Sequence, residues 1–176
     1  MLRKAAKMAF WTVPAGVFIC DNVVQVTRIE GISMQPTLNP NVRRWTDDFV
    51  FVRKAFYSPK RGDVVISRSP TSPRDLIVKR VIGMPGDIVR DRPPESSGGS
   101  GGGYGVTRVP KGHCWLEGDN AAHSYDSNGF GPSPLAMVEG KVVLVCWPLT
   151  RWGFVETVEA TANRVSPVLS TSNRFR

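Results

Sequence analysis

The sequence predicts a mostly β protein: a folded β-sheet domain that follows a single N-terminal membrane-anchor helix. From Val23 onward the helical spacing of apolar residues is lost, and short runs of β-type residues take its place. Gly-Asp pairs stand before several of these runs, at Gly62, Gly86 and Gly118, and such pairs are typical of tight turns between strands. Many short strands joined by tight turns favour a closed or folded-over sheet.

Six segments carry the strand pattern, each bounded by glycine, proline or aspartate. They are Asp48–Arg53, Asp63–Arg68, Leu76–Ile82, Asp87–Arg90, Cys114–Glu117 and Lys141–Trp147. We predict an N-terminal anchor over 1–26, a β-domain over 27–158 and a flexible tail over 159–176. The Gly- and Ser-rich stretch 93–105 cannot bury a core, so we expect it to be a surface loop of the β-domain.

The N-terminal segment combines a basic flank with an apolar run. Residues 1–7 carry basic side chains and no acidic one, and Met8–Cys20 is uncharged and mostly apolar. Three interpretations are open: a short membrane anchor, a targeting segment, or an ordinary buried helix. The basic flank followed by Phe10 and Trp11 favours an anchor whose N-terminus stays on the positive-inside face. Because no convincing cleavage site follows the run, we expect the anchor to be retained.

Composition argues against several classes of function. The formal net charge is +8, but the basic residues are scattered and no basic helix is interleaved with aromatic residues, which argues against nucleic-acid binding. An odd count of cysteines without a Cys-x-x-Cys pair argues against a disulfide framework. Cys114 and Cys146 are interpreted as buried thiols, with a disulfide between them as the alternative. His113 and His123 have no second ligand at metal-binding spacing, so we expect no metal and no cofactor.

Ser33 stands in a short stretch that is unsuited to regular secondary structure. Gly31 precedes it and Pro36 follows, in the run Gly31-Ile32-Ser33-Met34-Gln35-Pro36-Thr37-Leu38. Glycine admits backbone conformations closed to other residues, and proline restricts the residue before it to extended geometry. We therefore expect the Ser33 hydroxyl to lie in a rigid bend. Most serines in turns bond their own backbone, so the bend alone does not predict catalysis.

Lys79 is predicted to lie on an apolar face of a strand. Because side chains alternate along a strand, Lys79 shares its face with Ile77 and Val81, whereas Arg80 points to the other face. Burial lowers the pKa of a lysine, and the neutral amine can then act as a general base toward a serine hydroxyl. The alternative is a lysine that reaches solvent from a strand edge. Arg80 cannot be the base, because a guanidinium does not deprotonate in proteins.

A third stretch, from Gly118 to Pro132, is dense in glycine and in small hydrogen-bonding residues. It is too polar for a core segment, so we expect a loop of fixed conformation. His123, Asp126 and a nearby serine also suggest a serine–histidine–acid triad. Close neighbours in sequence rarely meet in triad geometry, and no glycine-serine-glycine elbow is present elsewhere, so we reject this alternative.

Together the three stretches resemble the type I signal peptidases, a family of proteases with a serine–lysine dyad. The stretch around Ser33 is similar to the serine box of the family, Lys79–Asp87 to its lysine box, and Gly118–Pro132 to its third box, in the same order. The short chain, an anchor directly before the serine box, and Asn128 where bacterial members usually carry arginine make the mitochondrial inner membrane peptidases the most similar branch.

The resemblance implies a role for each matching residue. Ser33 is expected to be the nucleophile, Lys79 the general base, and Ser124 the hydroxyl that orients the lysine amine. Asp126 falls where the family places a structural carboxylate, with Arg80 as its expected partner.

Two positions depart from the family pattern. Gly31 stands where some bacterial members use a serine hydroxyl in the oxyanion hole, so we expect the hole to use the Ser33 backbone N–H and another donor. Asn128 removes the arginine that would pair with Asp126. Neither departure changes Ser33 or Lys79.

The resemblance further implies a membrane-anchored serine endopeptidase that removes hydrophobic sorting or signal sequences from proteins delivered to the mitochondrial intermembrane space. Its expected partners are precursor proteins, the inner mitochondrial membrane and a homologous catalytic subunit, with the β-domain facing the intermembrane space. A membrane-anchored β-module without activity, supporting a partner peptidase subunit, is the alternative. A self-cleaving repressor shares the dyad, but the first 30 residues are too few and too apolar for a DNA-binding domain.

Overall fold

The computed structural model describes Thr12 and residues 23–41, 47–92, 105–160 and 163–167. The strands in these ranges are β1 (Val24–Arg28), β2 (Phe49–Arg53), β3 (Val64–Arg68), β4 (Leu76–Gly83), β5 (Ile88–Arg90), β6 (Val106–Arg108), β7 (His113–Glu117), β8 (Ser133–Pro134), β9 (Val138–Trp147), β10 (Gly153–Phe154) and β11 (Val165–Ser166). The helical elements between strands are α1 (Ser127–Phe130) and 3-10 turns at Ala121–His123, Leu135–Met137 and Leu149–Arg151. The predicted mostly β class is confirmed.

Eight of the strands form one antiparallel sheet, in the order β1-β2-β9-β3-β4-β7-β8, with β10 paired to β9. β5, β6 and β11 form a smaller sheet with β5 at its centre. The long strand β9 pairs with β2 on one side and with β3 on the other. β4 pairs with both β3 and β7, so the strand that carries Lys79 lies inside the sheet.

Apolar clusters support the serine stretch and join the two sheets. One cluster lies beneath the serine stretch and includes Met34 and Leu38, whose side chains are buried. In another, Trp115 of β7 packs with Val89 and Val165 of the smaller sheet. Ile29, which precedes Ser33, belongs to the same cluster as Met34 and Leu38, so the turn is fixed to the core on both sides of the serine.

Each of the six predicted strand segments is confirmed, with small differences at the ends: they are β2, β3, β4, β5, β7 and β9. The pattern missed β1, β6, β8, β10 and β11, which have two to five residues each. Segments of two or three residues are too short to display a clear alternation of apolar and polar residues. β1 is as long as β2, but its first residues were assigned to the predicted anchor.

Two predicted boundaries are wrong. β1 begins at Val24, inside the anchor predicted over 1–26, because this residue already pairs with Arg53 in the sheet. The tail predicted to be flexible over 159–176 contains β11, which pairs with β5 and buries Val165 in an apolar cluster.

Other parts of these predictions fall on residues that the structure does not describe. The predicted anchor lies outside the described residues up to residue 22, apart from Thr12. The predicted loop over 93–105 lies outside the described residues except for Gly105, and the predicted tail lies outside them from residue 168 onward. Among the residues that are described, none belongs to a helix long and apolar enough to cross a membrane.

The alternative of a disulfide between Cys114 and Cys146 is wrong, since both are free thiols. Cys114 is buried, as expected, and burial raises its pKa to about 12. Cys146 is only partly buried, and its Sγ lies 3.2 Å from the carbonyl oxygen of Phe49.

Candidate active site

Ser33 lies in a turn that joins β1 to β2, as the sequence predicts. The Gln35 N–H donates to the Ile32 carbonyl at 3.2 Å, and the Leu38 N–H donates to the Met34 carbonyl at 2.9 Å. Gly31 enters the turn with φ +87°, a left-handed conformation that a side chain would strain. The Ser33 side chain is half-buried, and no described residue forms a hydrogen bond with its hydroxyl.

A second set of hydrogen bonds stabilises the turn that carries Ser33, and the sequence analysis did not predict these bonds. Asn39, in a left-handed conformation, donates its N–H to Asp48 at 2.8 Å and its side-chain amide to the Ile29 carbonyl at 2.7 Å. Arg151 bonds both Asp48, at 2.6 Å, and the Thr37 carbonyl, at 2.9 Å. Arg151 lies in a 3-10 turn, 114 residues from Thr37 in the chain, so no local pattern could have indicated this partner.

Lys79 is buried on the predicted face of β4, with 4% of the residue exposed. The cluster on this face includes Val65 and Val81, whereas Val78 packs against the cluster beneath the serine turn. Burial lowers the pKa of Lys79, and the negative charges of Asp126 and Asp119 act in the opposite direction. The alternative of a lysine that reaches solvent is therefore wrong.

A line of hydrogen bonds orients the lysine amine. Lys79 Nζ donates to Ser124 Oγ at 3.1 Å, and Ser124 Oγ donates to Asp126 Oδ2 at 2.8 Å. Because the hydroxyl proton of Ser124 is committed to Asp126, the hydroxyl can only accept from the amine. A neutral Lys79 thus keeps its lone pair free for another partner.

Ser33 and Lys79 line the same cleft, which has a volume of about 290 Å³. The third stretch is bonded to the serine stretch, since Asn120 donates its backbone N–H to the Ser33 carbonyl at 3.0 Å and its side chain to the Ile32 carbonyl at 3.1 Å. At Gly118 a Cβ would lie 2.3 Å from Ser124 Oγ, so glycine is required where the two stretches meet. The structure therefore brings the three stretches together.

The expected pairing of Arg80 with Asp126 is wrong, because Arg80 pairs with Asp119. Its Nε and Nη2 donate to the two carboxylate oxygens of Asp119 at 2.8 and 2.7 Å. The physical reason is strand alternation: Arg80 leaves β4 on the face opposite Lys79, whereas Asp126 reaches the lysine side through Ser124. Asp119 also accepts from the Thr37 hydroxyl at 2.5 Å, so the pair anchors the serine turn.

Asp126 is buried and accepts hydrogen bonds from neutral donors. Its Oδ2 accepts from Ser124 and from the Gly118 N–H, at 2.8 and 3.0 Å. Its Oδ1 accepts from the backbone N–H and the side-chain amide of Asn128, at 3.1 and 2.8 Å. The rejected triad does not form, because the exposed His123 contacts Asn120 rather than Asp126. Within the described ranges no cluster of His, Cys, Asp or Glu could hold a metal ion.

Arg80→Met is expected to lower the free energy of unfolding by about 3–5 kcal/mol, because it leaves the carboxylate of Asp119 without its cation. It also removes the donor to the carbonyls of Gly62 and Glu156, at 2.7 and 3.0 Å. Urea denaturation of the full-length protein measures the loss. The matched control is Arg74→Met, at an exposed arginine, and it should change stability by less than about 0.5 kcal/mol. Equal stability of the two variants would contradict this role of the Arg80 pair.

Comparisons with known proteins identify a family and several relatives of this chain. A family model described as "Signal peptidase, peptidase S26" matches residues 2–95 and 93–147. The mitochondrial inner membrane protease subunit 2 of Schizosaccharomyces pombe is 42% identical over 144 residues, which cover 82% of this chain and 76% of that protein. Subunit 1 from the same organism is 38% identical over 138 residues, which cover 76% of this chain and 80% of that protein. A crystal structure of a signal peptidase I from Enterococcus faecalis matches 50% of this chain and 99% of that chain, with 25% identity and a TM-score of 0.41.

Proposed function

This chain belongs to the S26 family of signal peptidases and is a serine endopeptidase of that type, and we propose that it removes hydrophobic sorting sequences from proteins delivered to the mitochondrial intermembrane space. The observation that carries the proposal is that Ser33 and the buried Lys79, whose amine is oriented by Ser124, line the same cleft. The higher identity to subunit 2 than to subunit 1 of the mitochondrial protease supports a place in the subunit 2 branch.

In the proposed reaction Lys79 accepts the hydroxyl proton of Ser33, and the alkoxide attacks the scissile carbonyl carbon. Burial lowers the pKa of Lys79, which favours the neutral amine, and Ser124 leaves the lone pair of that amine free. The protonated amine then returns the proton to the leaving nitrogen as the peptide bond breaks. Water, deprotonated by the same lysine, hydrolyses the acyl-enzyme and restores the serine.

The backbone N–H of Ser33 is the first donor that we assign to the oxyanion. Gly31 lies on the cleft, and a Cβ there would meet nothing within 4 Å, so the position is open but offers no hydroxyl. The remaining donor therefore comes from the backbone or from another side chain. One such donor is typically worth about 3–4 kcal/mol of transition-state stabilisation.

Unpaired strand edges beside the cleft support binding of an extended peptide. β4 pairs with β3 from Leu76 onward, but its pairing with β7 starts only at Arg80. The other edge of Leu76–Lys79 therefore has no partner among the described strands. β1 is the terminal strand of the large sheet, and its residues Thr27 and Arg28 line the same cleft. A precursor can add as a strand between these two edges, with its small side chains in the cleft.

An exposed apolar surface supports a domain that lies against the inner membrane. Four large apolar side chains at the end of β9 and just after it are half or more exposed: Trp147, Leu149, Trp152 and Phe154. The same segment holds the serine turn, through the bond from Arg151 to the Thr37 carbonyl. Tryptophan is enriched where proteins meet the membrane interface. We place the domain on the intermembrane-space side, tethered by an N-terminal anchor that ends before β1.

A homologous catalytic subunit is the partner that we propose. The relatives include proteins named subunit 1 and subunit 2 of one mitochondrial protease, and this chain is similar to both. A non-catalytic β-module in such a complex is the alternative. The intact line from Lys79 to Asp126 argues against it, because a scaffold has no need to bury and orient a lysine beside a free serine.

The proposed function is tested by incubating the full-length protein with a model precursor that carries a hydrophobic sorting sequence, and by identifying the products by mass spectrometry. We expect one cut, after a small residue. A protein with both Ser33→Ala and Lys79→Ala should make no cut. Cleavage by this double variant at the wild-type rate would overturn the assignment, and no cleavage by the wild type would favour the non-catalytic alternative.

A further inference from the structure

Asn128 bonds both Asp126, which accepts from Ser124, and the segment that follows β5. Its side-chain amide donates to Asp126 Oδ1 at 2.8 Å, and its backbone N–H donates to the same atom at 3.1 Å. Its side-chain oxygen accepts from the Arg92 N–H at 2.7 Å. The side-chain amide therefore both donates and accepts a hydrogen bond, and neither aspartate nor leucine could do both at this position.

These bonds leave the charge of Asp126 without a cation at bonding distance. The carboxylate is 3% exposed, and its four donors, from Gly118, Ser124 and Asn128, are neutral. No ion pair within the described ranges includes Asp126. The nearest group that can balance the charge is the amine of Lys79, one hydroxyl away through Ser124.

Other charges around Lys79 are weaker or already balanced. Asp119 faces the opposite side of β4 and forms a bidentate pair with Arg80. Glu30 and Arg28 line the outer part of the cleft, but their side chains are 77% and 41% exposed and are screened by water. Asp126 is therefore the charge that most directly favours the protonated form of Lys79.

We propose that Asn128 is a positioning residue that sets the pH range of this enzyme: it holds Asp126 with neutral donors, so that the carboxylate acts on the Lys79 amine. The inference rests on the proposed role of Lys79 as general base. Burial lowers the pKa of Lys79 and favours its neutral form, whereas the charge of Asp126 raises this pKa and partly offsets the effect of burial. An arginine at this position would neutralise the charge of Asp126, so that Asp126 would no longer favour the protonated form of Lys79. An aspartate would add a second negative charge and favour the protonated form further.

The experiment uses full-length protein with Asn128→Arg and Asn128→Asp, and because residue 128 is exposed, the longer arginine side chain has room. Two quantities are followed against pH: kcat/KM on the model precursor, and acetylation of Lys79 by acetic anhydride, measured by mass spectrometry. Arginine should move both midpoints to lower pH by about half a unit to one unit, and aspartate should move them to higher pH by a similar amount. Asn163→Arg, the same change at an exposed position on the turn before β11, should move neither.

The acetylation midpoint separates this inference from the proposed function, because it does not need an active enzyme. Equal midpoints for wild type and Asn128→Arg overturn the inference, and so do shifts of the same sign for arginine and aspartate. If Ser33→Ala retains activity, the proposed function fails, yet opposite shifts of the acetylation midpoint in the arginine and aspartate variants still support the role of Asn128. Circular dichroism identifies a variant that does not fold. In that case the sign of the shift in the acetylation midpoint of the other variant tests the inference.

Discussion

Ser33→Ala is expected to abolish precursor cleavage while leaving the fold unchanged. Removing the nucleophile of a serine protease costs about 10⁴-fold or more in kcat, because the remaining groups cannot form the acyl-enzyme. The stability should change by less than about 0.5 kcal/mol, since the half-buried hydroxyl has no hydrogen-bond partner among the described residues. The measurement pairs kcat/KM on a model precursor with urea denaturation of the same preparation.

The matched control for this prediction is Ser58→Ala, at an exposed serine. It should retain both the rate and the stability of the wild type. A Ser33→Ala protein that cleaves within a factor of ten of the wild type would mean that another residue is the nucleophile. A rate loss accompanied by a large loss of stability would instead indicate that Ser33 supports the turn.

The proposed catalytic pair could be predicted because its signals are local. Alternation along β4 placed Lys79 between apolar neighbours, and the structure buries it there. Gly31 and Pro36 around Ser33 predicted a bend, and the described turn agrees. The bond from Lys79 to Ser124 could be anticipated only through the family resemblance, because 45 residues separate them.

Partner choice across the fold could not be predicted in the same way. Arg80 had two acidic candidates in the third stretch, Asp119 and Asp126, and nothing in their spacing separates them. The choice is made by which face of β4 each residue meets, which depends on the pairing of β4 with β7. The short strand β11 is a similar case: Val165 joins the sheet because of packing against Trp115, and its own sequence has no strand pattern.

Burial of a lysine has an energetic consequence that connects the fold with the activity. Burial of Lys79 disfavours its charged form, so protonating this residue in the folded protein costs free energy. The hydrogen bonds from Lys79 through Ser124 to Asp126 reduce the free-energy cost of the charged lysine without removing it. The burial that suits Lys79 to its proposed role as a base therefore also makes it a destabilising residue in acid, and both properties can be measured in one variant.

Lys79→Met is expected to abolish cleavage and to remove a specific dependence of stability on pH. The rate should fall by about 10⁴-fold or more, because methionine cannot accept the Ser33 proton. In the folded protein, burial lowers the pKa of Lys79 below its ordinary value of 10.5. Between the lowered pKa and 10.5, the unfolded chain therefore binds more protons than the folded protein does. Stability contributed by this group therefore rises with pH through that window and is lost as pH falls through the lowered pKa.

Urea denaturation across the pH range measures the second effect. The free energy of unfolding of the wild type, minus that of Lys79→Met, should increase as the pH rises toward 10.5 and should level off above it. Lys111→Met, at an exposed lysine, should show a difference that does not depend on pH and should keep full activity. A flat difference for Lys79→Met would mean that the amine keeps an ordinary pKa, and a general base at neutral pH would then have to be sought elsewhere in the cleft.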